Sequence, residues 1–184
     1  MSRRDELLDA VTDQVVASGL IGLTLRPLAA AVGTSDRMLI YHFGSHDDLV
    51  SAVVRRVGER SVAGIDALAP ARTVRQAVLQ LWEAYQAPPL RDCLSTYVQA
   101  AATGLIGREP HLSEARASND QWAEALKRYF LRSGASQRRV GRVVGMVDSA
   151  LFGFTLDLIT DRPGELRRGV ADLADAAHRL AEGR

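Results

Sequence analysis

From Arg4 to Ser18, Leu7, Leu8, Val11 and Val15 recur at helical spacing while Asp5, Glu6, Asp9 and Asp13 take the other faces. That pattern predicts an amphipathic helix, closed by Gly19. A second helix is expected to start at Thr24 as its cap. Pro27 is tolerated in its first turn, and Leu25, Leu28, Ala29 and Val32 form the apolar side before Gly33 stops it. Ser35 then caps a short third helix reaching about His42, so two short helices meet at a glycine turn. Ser45, followed three residues later by Asp48, has the spacing of a capping box. Leu49, Val50, Val53, Val54 and Val57 continue a long fourth helix to about residue 68.

Gly64 and Pro70 in the stretch AGIDALAPA mark a boundary. The expected organisation is an N-terminal domain over residues 1–56 and a second domain over 69–184. The second also reads as helical. Val74, Ala77, Val78, Leu81, Trp82 and Tyr85 form one stripe, ended by Pro88 and Pro89; Leu94, Tyr97, Val98 and Ala101 form another, ended between Gly104 and Pro110. Longer helices are predicted over Glu114–Leu131 and Arg138–Ile159. Pro163 opens the last one, with Leu166, Val170, Leu173, Ala177 and Leu180 at helical spacing. No segment alternates as a strand does. The fold class is therefore all-α, with about nine helices.

Composition narrows the function. The apolar run over residues 140–159 has the length of a membrane span, but Arg142, Asp148 and Asp157 interrupt it, which predicts a buried helix instead. The N-terminus lacks a signal-peptide run, and a cytoplasmic protein is expected. Cys93 is the single cysteine and is read as a small buried hydrophobe. The net charge of +1 carries no polyanion footprint, and residues 1–49 hold four arginines and no lysine against seven acids, a balance of −3. Any nucleic-acid contact must come from local geometry.

Helix, glycine turn, helix is such a geometry: the second helix of a helix-turn-helix offers its first residues to base edges in the major groove. Thr24, Leu28, Ala29, Gly33, Ser35, Leu39, Phe43, Asp48 and Leu49 set that turn in a wider frame over residues 4–56. In order and spacing this frame resembles the tetracycline-repressor (TetR) family of bacterial transcription regulators. The rest of the chain resembles that family's variable regulatory domain only in being helical and of the usual size.

The resemblance implies a homodimer that binds a double-stranded, near-palindromic operator and is released by a small-molecule effector; it does not identify the effector, but the aromatic and aliphatic cavity candidates lean towards a hydrophobic one. It implies no cofactor and no catalysis. Arg37 is the candidate for a bidentate contact to guanine, with Ser35, Asp36 and Met38 beside it. Asp36 either accepts from cytosine or favours the helix N-terminus. Tyr41 and His42 are candidate phosphate donors, Phe43 an inward anchor, and Thr24 with the amides behind it resembles the family's phosphate clamp. Ile40 and His46 stand where the family usually has tyrosine and lysine, so two customary phosphate contacts are lost or altered; His46 is kept among the candidate DNA-binding residues and Tyr41 stands in for the first.

Other constellations have plainer readings. His42 and His46 lie four apart beside Asp47 and Asp48, but Gly44 and Ser45 break the helix between them, and no metal is expected. Gly141, Gly145, Ser149 and Gly153 put small side chains along one helix face. With Leu166, Val170 and Leu173 they are candidates for the dimer seam the resemblance implies; packing within one subunit, or space beside a ligand, would also account for them. Trp82, Tyr85, Cys93, Tyr97, Trp122, Met146 and Phe152 either belong to the core or line an apolar effector cavity, with Phe154 near them. Arg91, Asp92, Gln99, His111 and Asp148 are candidate polar determinants. A second functional reading is a dimeric helical small-molecule-binding protein without an operator. A third, a helical enzyme acting through His111, is supported by no catalytic motif.

Overall fold

The computed structural model describes residues 2–158, 160 and 163–183. Among these, nine helices and no strands are found: α1 (Arg3–Ser18), α2 (Leu25–Ala31), α3 (Asp36–Phe43), α4 (His46–Asp66), α5 (Val74–Tyr85), α6 (Leu90–Leu105), α7 (His111–Arg132), α8 (Val140–Asp157) and α9 (Pro163–Glu182). The predicted end of the eighth helix at Ile159 lies outside the described residues. None of the described helices is long and apolar enough to cross a membrane.

Two compact units result. The first comprises Met1–Val62 and Pro89–Gln121, the second Ala63–Pro88 and Trp122–Arg184, so the boundaries fall within α4 and α7. In the first unit Leu7, Leu8, Val11, Val15, Leu28, Leu39, Phe43, Leu49, Val50 and Val53 share one apolar core with Cys93 and Ala100 of α6. Gln99 fastens α6 to the α1–α2 turn: its Oε1 accepts the backbone N–H groups of Leu20 at 2.7 Å and Ile21 at 3.1 Å. Gly104 permits α6 to approach α7, since a Cβ there would stand 3.0 Å from Leu112 Cα.

In the second unit α9 packs on α5 and α8. Val78, Leu81, Val143, Val147, Leu151, Val170 and Ala174 are buried there. Tyr129 is fully buried, and its hydroxyl donates to the Ala77 carbonyl at 3.2 Å. Burial pushes that phenol up to about 12. Arg128 holds the end of α4 through two bonds to the Asp66 carboxylate, at 2.7 and 3.2 Å.

Candidate nucleic-acid interface and regulatory site

Gly33 makes the turn between α2 and α3. Its φ of 70° lies in the left-handed region that glycine adopts without strain, and Thr34 N–H reaches back to the Ala29 carbonyl at 2.9 Å. Ser35 caps α3 as predicted, its Oγ accepting the Met38 N–H at 3.2 Å. Asp36 Oδ1 accepts the Arg37 N–H at 2.8 Å, which favours its helix N-terminal role. Leu39 and Phe43, four residues apart, are buried; Ser35, Asp36, Arg37, Met38, Ile40 and Tyr41 are exposed. The short helix thus stands on two apolar side chains and presents the rest outward. Tyr41 is 78% exposed, and half-buried His42 packs edge-on against it with ring centroids 5.2 Å apart.

Three details depart from the sequence expectations. Thr24 occupies the cap position of α2 with extended backbone, but its hydroxyl makes no capping bond. The reason is Pro27: it sits third in the helix, where the usual recipient N–H is missing. His46 is committed within the chain, Nε2 to the Leu23 carbonyl at 3.1 Å and Nδ1 to Asp47 Oδ1 at 3.2 Å. Arg4, to which no role was given, closes α3: its Nε donates to the His42 carbonyl at 3.1 Å and its guanidinium stands 5.1 Å from the Phe43 ring centroid.

The acidic balance also looks different in three dimensions. Asp9 takes Arg56 at 2.6 Å and Arg60 at 3.0 Å, and Asp13 takes Arg60 at 2.5 Å. Two of the seven acids are therefore paired with arginines of α4. Arg26 and Arg37 remain exposed and appear in no ion pair among the described residues.

Of the cavity candidates, Trp82, Tyr85, Trp122, Met146 and Phe152 belong to the second unit. Cys93 and Tyr97 belong to α6 in the first, where Cys93 is 3% exposed within the apolar core and burial raises its thiol. Trp82 packs edge-on against Phe154 at 6.2 Å, and Tyr85 tilts against Trp122 at 5.6 Å. The Trp122 indole N–H donates to Asp148 Oδ1 at 2.8 Å. Burial raises the Asp148 carboxyl above the usual range, against the indole's opposing effect. The Tyr85 hydroxyl is buried without a hydrogen bond of good geometry; burial, then Asp148, pushes it well above the ordinary phenol, and the nearby Trp122 N–H opposes them. The other polar determinants are elsewhere: Arg91 pairs with Asp92 at 2.8 Å, Gln99 holds the α1–α2 turn, and His111 lies at the start of α7 in the first unit.

The seam candidates divide. Gly141, Gly145 and Ser149 are exposed and Gly153 half-buried; a Cβ at any of the three glycines would meet nothing within 4 Å, so packing inside the subunit does not explain them. Leu166, Val170 and Leu173 instead face the chain's own core, at 5%, 2% and 9% exposure. Periodicity identified the apolar stripe of α9 correctly, but α5 and α8 cover it.

An all-helical chain with a capped, glycine-turned helix-turn-helix near its start defines a class, and the chain has the fold of TetR-family regulators. It is 27% identical over 147 residues to the HTH-type transcriptional regulator BetI of Burkholderia ambifaria, covering 73% of this chain and 75% of that one. A Rhodococcus transcriptional regulator superposes with TM-score 0.76 at 16% identity, covering 98% of each chain. The multidrug binding protein EbrR complexed with proflavin does so with TM-score 0.69 at 22% identity, over 95% of this chain and 99% of that one. A candidate regulator from Saccharomonospora viridis in complex with choline gives 0.67 at 19%, over 94% and 95%. No family model matches the chain.

Proposed function

We propose that the chain is a homodimeric, ligand-responsive transcriptional regulator, a cytoplasmic repressor rather than an enzyme. Its residues 1–56 read the operator, and residues 69–184 bind the effector and the second subunit. The observation that carries this reading is α3: a helix fixed by Ser35, Leu39, Phe43 and Arg4 that exposes Arg37, Met38 and Tyr41. Arg37 is the base-reading residue, and Tyr41 and His42 are phosphate donors. The uncommitted Thr24 hydroxyl is available to a phosphate. His46 contributes less, because a phosphate contact competes with its bonds to Leu23 and Asp47.

Two recognition helices reach successive major grooves only when separated by roughly 34–36 Å. An effector that favours another separation releases the operator. The exposed face of Gly141, Gly145 and Ser149 suits the close approach of a second subunit. That proteins of the same fold hold proflavin and choline supports a small-molecule effector.

The test is fluorescence anisotropy of a labelled duplex from the chain's own upstream region against a scrambled duplex, across a salt series. Saturable preference that weakens as salt rises is the expected result. Equal binding of both duplexes, and no preference among selected random duplexes at low salt, leaves the second reading: a dimeric small-molecule-binding protein without an operator. The −3 balance of residues 1–49 favours that reading.

A further inference from the structure

Asp148 is the anomaly of the second unit. It interrupts the apolar face of α8, is half-buried, receives one indole N–H, and makes no ion pair among the described residues. A carboxylate withdrawn from water keeps its charge at a cost unless a cation offsets it. No cation among the described residues pairs with it, but aromatic and polar groups that suit one lie beside it. The Tyr85 and Trp122 rings are inclined to each other by 49° with centroids 5.6 Å apart, and the indole edge carries the N–H that reaches the carboxylate. The Tyr85 hydroxyl, on a residue 2% exposed, makes no hydrogen bond of good geometry, because the nearby Trp122 N–H is directed to Asp148.

Asp148 is half-buried, so its carboxyl is not sealed inside the unit. A helical side chain leans over the preceding turn, and the residue three before Asp148 is Gly145, whose Cβ position is open. From three helices, α5, α7 and α8, the fold therefore assembles a negative charge, two π faces and a spare hydroxyl.

We infer that Asp148, Trp122 and Tyr85 form the recognition site for an organic ammonium cation. The cation's charge lies against the Asp148 carboxylate, its alkyl groups lie on the two rings, and a polar substituent engages the Tyr85 hydroxyl. This narrows the effector from a hydrophobic molecule to a cationic one, and it rests on the second unit being the effector domain. Trp122 acts twice, as a π face and as the donor that orients Asp148.

Isothermal titration of the full chain with choline and with its uncharged isostere 3,3-dimethylbutan-1-ol isolates the charge; benzyltrimethylammonium supplies a larger cation. We expect saturable binding of a cation, a preference for choline over the isostere of at least about tenfold, and loss of that preference in Asp148→Asn. Asp148→Glu should restore part of it, and near-UV circular dichroism reports whether both variants keep their packing. Absence of cation binding, equal binding of choline and isostere, or a preference that survives in Asp148→Asn overturns the assignment. The same proteins are assayed on the duplex. A chain that prefers its duplex but ignores the cations sinks the cation site and leaves the regulator standing. A chain that binds cations through Asp148 without duplex preference does the reverse.

Discussion

The block around α3 and the interior shared by α5, α7 and α8 treat polar groups in opposite ways. In the first, every inward position is apolar, Leu39 and Phe43 above all, and the polar residues face solvent or are bonded to the backbone they cap. In the second, a carboxyl and a phenol are drawn inside with one hydrogen bond between protein groups to satisfy them. The contrast matches two tasks. A surface that meets DNA needs rigid support and free polar tips; a site that responds to a ligand needs interior groups whose demands the ligand completes.

The largest effect expected from this contrast comes from the support of α3. Leu39 is wholly buried, so Leu39→Ala should destabilise by about 2–5 kcal/mol and abolish binding to every duplex. Its neighbour Ile40, 37% exposed, should tolerate alanine within about 0.5 kcal/mol. Denaturant unfolding of both variants decides it: similar losses would mean that α3 does not stand on Leu39.

Next in size is Arg37→Ala. It should cost about 1–3 kcal/mol of operator binding and relax preference at one position of each half-site, with folding unchanged because the side chain is exposed. Selection of bound sequences by both proteins measures it, and an unchanged sequence logo would remove Arg37 from the readout. A smaller effect is expected for Arg4→Ala. Its bond to the His42 carbonyl and its place over Phe43 are both at the surface, so the loss should be about 0.5–1 kcal/mol in thermal unfolding. No loss would mean that Ser35 and the apolar pair hold α3 unaided.

The helices were legible because caps and stripes are local. Val74 to Tyr85 is the predicted stripe and the observed helix, and Ser35 caps as its position suggested. Thr24 failed as a cap because Pro27 removed the recipient N–H, a local fact that the sequence displays. What stayed hidden depends on distant chain. Arg4 meets His42 across 38 positions, and Gln99 meets Leu20 across 79. Periodicity told that Leu166, Val170 and Leu173 share a face, yet not that α5 and α8 cover it. Asp148 stood out as an acid in an apolar run, but only the fold joins it to Trp122 and Tyr85.

The smallest effect is the most specific to the interior. Because burial holds the Asp148 carboxyl above the usual range, the folded chain keeps its proton to higher pH than the unfolded chain does. Between the ordinary and the raised value the folded state binds more protons, so stability falls as pH rises through that window. Below the window the stabilisation is present in full; above it, at neutral pH, the charged form is penalised. Asp148→Asn removes the titration while its amide oxygen still accepts the Trp122 N–H. Its thermal midpoint should therefore exceed that of the wild type at pH 7 by about 1 °C, with the difference shrinking as pH is lowered into the carboxylate range. Tyr85, the titratable group beside it, stays neutral throughout and does not contribute. Added choline should narrow the pH 7 difference by stabilising the wild type alone. A midpoint difference that does not change with pH would mean that Asp148 is already satisfied in the folded chain, and the interior would then differ from the α3 block in composition only.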